Sequence, residues 1–204
     1  QDCTILVISL EEPEELYMRK LDAIYAGVPM DKIKHRKLER QELIKLRRAA
    51  TYLRSKKSDI HVISGLKDVG PEQVASMVDQ YSPRLVGIDG IHLMKYGDYK
   101  TQSWERLGAV CEGLRAICQT RKVTILGIVQ ANRQAAMAHE VSLETISFSD
   151  AIGQLVDTCI AIQEDRDAEK EGKKKLELIK NRDGKKGHCY IDWDLDLGII
   201  GDTV

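Results

Sequence analysis

The feature that most constrains the fold is an alternation. Short runs that are apolar throughout recur along the chain, and stretches with helical spacing separate the first three. Thr4–Leu10 reads TILVISL, Leu85–Ile88 reads LVGI, Val123–Val129 reads VTILGIV, and Asp157–Ile162 is a fourth such run. His61–Ile63 is a shorter strand candidate. A strand without a polar side must be covered on both faces, which is the habit of parallel sheets in α/β proteins. Pro13 fits a first helical turn, Leu16, Leu21 and Ile24 keep helical spacing, and Gly27 closes that helix. A second helix is predicted over Arg40–Lys57 with Leu43, Leu46, Ala50 and Leu53 on one face. Pro71 starts a third that buries Val74, Val78 and Tyr81. Ser103–Arg121 is a fourth, with Trp104, Leu107, Cys111, Leu114 and Cys118 as its stripe.

Beyond the third apolar run the pattern changes. Ala131–Ser149 lacks a clear period and reads as a long loop, and Glu164–Lys175 reads as a solvated charge run. Leu176–Ile179 and Cys189–Trp193 predict a terminal hairpin around Arg182-Asp183-Gly184. No repeat and no second domain is evident. The expected fold class is therefore α/β: three layers, a mainly parallel sheet, and a C-terminal β-hairpin.

Charge limits the functional classes. The 31 basic and 32 acidic side chains leave a net charge of -1, so bulk electrostatic attraction to nucleic acid is not expected. Contact with DNA would have to come from local basic patches. The basic cluster from Lys32 to Arg40, continued by Lys45, Arg47 and Arg48, is interleaved with Asp31, Glu39 and Glu42 and reads as a solvated helical face. The five cysteines (Cys3, Cys111, Cys118, Cys159 and Cys189) are odd in number and lack metal-site spacing, as do the five histidines. A reducing, intracellular compartment is the expectation. No run of 18 apolar residues predicts a membrane span.

In open α/β sheets, ligands sit beyond the carboxyl ends of the strands. Glu11 follows the first apolar run, Asp89 the second and Gln130 the third. If these strands are parallel neighbours, all three side chains converge on one rim. Each is equally explained by a chain that simply surfaces there, but a threefold coincidence favours a site. Apolar residues running into an aspartate resemble a Walker B motif, whose carboxylate holds Mg²⁺. Glu11 has the chemistry of a general base. Gln130, with both donors and an acceptor, has that of a γ-phosphate sensor.

The order of these segments resembles the RecA-like motor of DnaB-type replicative DNA helicases, including phage and mitochondrial primase-helicases. Ser9-Leu10-Glu11-Glu12 resembles the family's Ser-Leu-Glu segment, and Ile88-Asp89-Gly90-Ile91-His92-Leu93-Met94 its Walker B segment. Gln130-Ala131-Asn132-Arg133 resembles its Gln-x-Asn-Arg segment, and Lys180-Asn181-Arg182-Asp183-Gly184 the segment carrying trans-acting cations. Asp150–Gln163, with Gln154-Leu155-Val156-Asp157 inside it, resembles the stretch between. Two departures stand out: Gly90 occupies a position usually aromatic, and Arg133–Asp157 lacks the family's Asp-Leu-Arg run.

The resemblance implies a RecA-like ATPase domain that uses ATP and Mg²⁺. Glu11, Gln130, Lys180 and Arg182 would be catalytic, Asp89 would hold the metal, and Lys180 and Arg182 would reach the nucleotide of a neighbouring subunit. It further implies a homo-oligomer, a hexameric ring around single-stranded DNA, with a primase or helicase loader as possible partners. Lys95, Lys100 and Arg133 are the candidate phosphate contacts. Tyr96, Tyr99 and Phe148 are the few aromatics in those loops, so base stacking is weakly signalled. No Gly-x-x-x-x-Gly-Lys-Ser/Thr occurs in the 204 residues. In the family that loop precedes the strand ending in Glu11, which would place it before Gln1. The expectation is one motor domain cut ahead of its phosphate loop, with little ATP binding by itself. Another RecA-type ATPase, such as a recombinase, and a non-catalytic RecA-like scaffold remain as alternatives.

Overall fold

The computed structural model describes residues 3–56, 59–96, 103–130, 153–194, 196 and 199–202. Four parallel strands form one sheet: β1 (Ile5–Ser9), β2 (Ile60–Ser64), β3 (Leu85–Asp89) and β4 (Thr124–Ile128), in spatial order β2-β1-β3-β4. The first helices are α1 (Glu14–Ala26), α2 (Met30–Lys34), α3 (Arg40–Ser55) and α4 (Pro71–Tyr81). A single 3₁₀ turn over Ile91–Leu93 follows β3, and α5 (Ser103–Arg121) leads into β4.

The core explains this arrangement. Leu6, Ile8, Val86 and Ile88 point to one face of the sheet and are fully buried. They meet Val74 and Val78 of α4 and Leu107, Val110, Cys111, Leu114 and Ile117 of α5 in one continuous cluster. Each such side chain contributes roughly 1.5–3 kcal/mol on leaving water, so this layer dominates the stability of the sheet. On the other side α1 lies against β2, and α3 packs on α1. The result is the expected three layers.

Local signals set the element ends. Gly27 takes φ 59 at the end of α1, where its amide reaches back to the last turn. Pro71 is the first residue of α4, and the Gly70 amide donates to Gln73 Oε1 at 2.9 Å. The Glu39 amide donates to Glu42 Oε2 at 2.8 Å to open α3. Lys32 in turn pairs with Glu42 at 2.7 Å. The rest of the basic cluster is exposed to solvent, as its mixed charge predicts.

The fourth apolar run departs from expectation. β5 (Thr158–Gln163) does not join the parallel sheet but pairs antiparallel with β6 (Lys173–Asn181), which pairs with β7 (Gly187–Asp194) and then β8 (Ile199–Asp202). The terminal hairpin is thus two strands of a four-stranded antiparallel sheet. The charge run contains a helix, α6 (Arg166–Lys170), capped by Asp165, whose Oδ1 accepts from the Asp167 and Ala168 amides. α3 also differs: Leu43 and Ala50 are exposed and Leu46 and Leu53 are only half-buried, because this helix rests on another helix and not on the sheet. Trp104 has no described side chain, while the rest of the α5 stripe packs as predicted.

Among the described residues, β4 and β5 are the outermost strands of their sheets. Ala161 of β5 joins the same core cluster as β3, α4 and α5. Yet Leu126, Ile128, Ile160 and Ile162 are about half exposed, on the sides of β4 and β5 that face away from that cluster.

Candidate active site

The register of the parallel ladder places the candidate residues. Ser9 pairs with Asp89, and Asp89 with Ile128. The carboxyl ends of β1, β3 and β4 therefore finish level, and the Leu10 amide extends the ladder to the Asp89 carbonyl at 3.0 Å. Glu11 comes two residues past Ser9 and Gln130 two past Ile128, so Glu11, Asp89 and Gln130 share one rim, as the three strand ends imply. Gln130 Nε2 lies 3.5 Å from Glu11 Oε1.

Ser9 shapes the turn that carries Glu11. Its side chain is buried, and its hydroxyl accepts from the Glu12 amide at 3.0 Å. That short local bond fixes the chain as it leaves the strand. Glu12 then turns to Lys20 on α1, with Nζ–Oε2 of 2.5 Å. Gly90 follows Asp89 with φ 91, a conformation that side chains other than glycine's rarely adopt. A Cβ at Gly90 would come within 3.2 Å of Glu11 Cγ and 3.3 Å of its Oε1. Glycine at this position thus lets Glu11 lie across the turn after Asp89.

The rim is acidic. Burial raises the Asp89 carboxyl above its ordinary value, and repulsion from Glu11 and Glu12 adds to the shift, while Lys20 and His92 oppose it. Burial, Asp89 and Glu12 likewise raise the Tyr17 phenol. A cation placed here would relieve that repulsion. No group of three or more His, Cys, Asp or Glu side chains among the described residues forms a metal cage. Mg²⁺ keeps most of its waters and takes one or two carboxylates beside substrate phosphates, and the Asp89 carboxyl beside Glu11 offers that number. The residues present therefore fit the metal and water half of a Mg²⁺–nucleotide site. The sequence holds no glycine-rich loop for the phosphate half.

Lys180 and Arg182 lie elsewhere. They sit at the end of β6, where Lys180 donates to the Gly153 carbonyl and Arg182 pairs with Asp157. The Cys118 thiol feels the Asp157 charge and touches the backbone of Ile125, near the amino end of β4. Arg115 reaches the Leu155 carbonyl at 3.5 Å. Both cations are therefore near the opposite rim from Glu11, about one strand length (~16 Å for five residues) away. Within one chain they are not part of the Glu11–Asp89–Gln130 cluster. Lys95 is exposed beside Asp68, with which it forms an ion pair, and its amide donates to the Val69 carbonyl at 2.8 Å. Lys100 and Arg133, Tyr99 and Phe148, and the long loop lie outside the described residues.

Sequence reasoning did not single out Ser9, Lys20 or His92. For Ser9 the signal was available: a serine three residues before a carboxylate at a strand end is an amide-capping pattern. For Lys20 and His92 it was not, because only the fold brings them to Glu12 and Glu11.

A family model, the DnaB-like helicase C terminal domain, matches residues 1–198. Among solved structures, the structure of a DnaB-like replicative helicase and its interactions with primase superposes with a TM-score of 0.89 at 17% identity, covering 99% of this chain and 51% of that one. A solved ATPase domain superposes with a TM-score of 0.87 at 18% identity, covering 99% of this chain and 75% of that one. At these identities the likeness is one of fold. The chain spans about half of the first structure and three quarters of the second. Among curated proteins no significant match was found.

Proposed function

Because this chain belongs to the DnaB-like helicase C-terminal domain family, we propose that it is the motor part of an ATP-driven replicative DNA helicase. The observation that carries the reading is the shared rim of Glu11, Asp89 and Gln130, levelled by the strand register and joined by the Glu11–Gln130 contact. In this reading Asp89 holds Mg²⁺, which would supply charge stabilisation to the transferring phosphoryl group. Glu11 takes the proton of the attacking water. Gln130 reads the γ-phosphate and leads directly into the segment that carries Arg133.

Lys180 and Arg182 would serve the site of a neighbouring subunit. Their distance from Glu11 within one chain supports that role, since a ring brings the far rim of one subunit against the near rim of the next. A guanidinium so placed is worth ~10³ or more in rate. Lys95, Lys100 and Arg133 would meet the phosphates of single-stranded DNA in the centre of a hexameric ring. Such contacts hold position and carry little sequence information. A primase or loader is a candidate partner, as in the DnaB-like relative described with primase. A cytoplasmic setting goes with this role, and no described helix is long and apolar enough to cross a membrane.

The phosphate loop is assigned to a segment outside these 204 residues. The open sides of β4 and β5 support an entry between the two sheets. Both strands are outermost, both back onto one core, and both present exposed aliphatic side chains. One added strand with its following helix would satisfy the unpaired edges and cover that surface.

The decisive measurement is ATP hydrolysis by the protein with its upstream residues restored, with and without single-stranded DNA. DNA-stimulated hydrolysis is expected, and Glu11→Gln should lower kcat by ~10²-fold or more while Mg²⁺–nucleotide binding persists. Hydrolysis that DNA does not stimulate would sink the motor reading. Strand exchange without unwinding would favour a recombinase-like ATPase, and nucleotide binding without turnover a scaffold.

A further inference from the structure

Glu11 Oε1 is approached by two nitrogens. Gln130 Nε2 and His92 Nε2 both stand 3.5 Å from this same oxygen. Among the described residues no hydrogen bond is directed at Oε2. The distances are long for hydrogen bonds, as catalytic contacts often are before substrate tightens them.

The setting of His92 is specific. Its Nδ1 is buried and has no hydrogen-bond partner. An imidazole nitrogen stranded in this way costs less as a lone pair than as an N–H, since buried donors are the more demanding group. The proton therefore belongs on Nε2, the nitrogen that faces Glu11. The 3₁₀ turn around His92 is held firmly. The Leu93 amide donates to the Gly90 carbonyl at 2.9 Å and the Met94 amide to the Ile91 carbonyl at 3.1 Å. Ile91 and Met94 are buried, and the Ile91 side chain lies so close over Gly127 that a Cβ there would come within 2.9 Å of it. The ring is thus fixed from below by the core and presents one donor to one carboxylate oxygen.

We propose that His92 is a positioning residue for Glu11. It donates through Nε2–H to Oε1, acts together with Gln130 on that oxygen, and leaves Oε2 to accept the proton of the attacking water. The inference rests on the reading of Glu11 as the general base. It assigns a task to a side chain outside the rim residues already named, and it fits a glycine at the start of the turn after Asp89: a Cβ at position 90 would stand 3.3 Å from the Glu11 Oε1 that His92 faces.

Two measurements on the full-length protein test it. In DNA-stimulated ATP hydrolysis, His92→Ala should lower kcat by roughly 10–100-fold, the usual effect of losing a side chain that orients a catalytic group. KM for ATP should be unchanged. His92→Gln, whose amide can donate to the same oxygen, should recover most of the loss. An unchanged kcat in His92→Ala overturns the proposal, and so does an equal loss in the two variants accompanied by a fall in melting temperature. The second measurement needs no turnover: ¹⁵N NMR of histidine-labelled protein should show the Nε2–H tautomer at His92, with a resonance displaced by Glu11→Gln. An Nδ1–H tautomer, or indifference to Glu11→Gln, overturns the proposal. Wild-type protein without DNA-stimulated hydrolysis would defeat the motor reading, and the NMR result would still decide the contact.

Discussion

Gly113→Ala sets two known effects against each other. Gly113 is in the interior of α5, where replacing glycine by alanine ordinarily stabilises a helix by roughly 0.5–1 kcal/mol. A Cβ at this position, however, would come within 2.6 Å of Pro71 Cγ and 2.7 Å of Pro71 Cβ. Comfortable carbon–carbon contact needs ~3.5–4.0 Å, so the two helices would have to separate locally by ~1 Å. The proline ring cannot swing aside as a long side chain would, because Pro71 is the first residue of α4 and is itself buried. A radial gap of 0.5–1 Å forfeits about a quarter to a half of the dispersion well for each contact it opens. Here the contacts at risk are those of Val74 and Val78 with Leu107, Val110 and Leu114. Overpacking of this kind costs ~1–3 kcal/mol, which exceeds the helix-propensity gain. The net expectation is a loss of ~1–2 kcal/mol, read by urea denaturation as a lower midpoint with an unchanged slope. Pro71→Ala in the same chain should recover part of it, with a coupling of at least ~0.5 kcal/mol in a double-mutant cycle. A stabilised Gly113→Ala protein, or strict additivity with Pro71→Ala, would refute the claim that α4 and α5 touch through this glycine.

Two further outcomes follow from the site and the open sheet sides. Burial and the charges of Glu11 and Glu12 raise the Asp89 carboxyl, so the folded chain binds its proton more tightly than the unfolded chain does. The stabilising proton is present at low pH and is lost as pH rises from the ordinary value near 3.8 through the higher folded value. Asp89→Asn should therefore match the wild type in stability near pH 3 and exceed it by a margin that grows toward neutrality; a margin that shrinks with rising pH contradicts the assignment. In the 204-residue chain, Leu126→Ala and Ile160→Ala should change stability by no more than ~0.5 kcal/mol, because both side chains are exposed. In a longer chain carrying upstream residues, the same substitutions should cost ~2–4 kcal/mol if an upstream strand and helix cover them. Equal effects in the two lengths would rule out that covering segment.

What was legible in the sequence was what depends on neighbours in the chain. The parallel strands follow from runs such as TILVISL and LVGI, and the level strand ends follow once those runs pair, because Ser9 and Asp89 close strands of equal length in register. Helix starts at Pro71 and stops at Gly27 were equally local. α6 was missed because its acids and lysines outweigh one buried residue, Ala168, although Asp165 with two amides behind it is an ordinary cap. β5 was misplaced for a different reason. An apolar run says that a strand is buried, not which neighbour it pairs with, and the antiparallel partner was only a short connection away through α6.

The site shows the same division. The three rim residues were readable because strand ends announce themselves, whereas their orientation was not, because it depends on contacts between distant segments. Gly90 illustrates the limit. In the sequence it is a departure from an aromatic position. In the fold its φ of 91 and the 3.2 Å that would separate a Cβ from Glu11 Cγ make it the residue that opens room for a carboxylate arriving from β1. The aromatic side chain usual at this position would have to displace either Glu11 or Leu93, whose Cδ1 is equally close. In this chain the turn itself reaches Glu11, and His92, two residues past Gly90, is where that turn presents a donor.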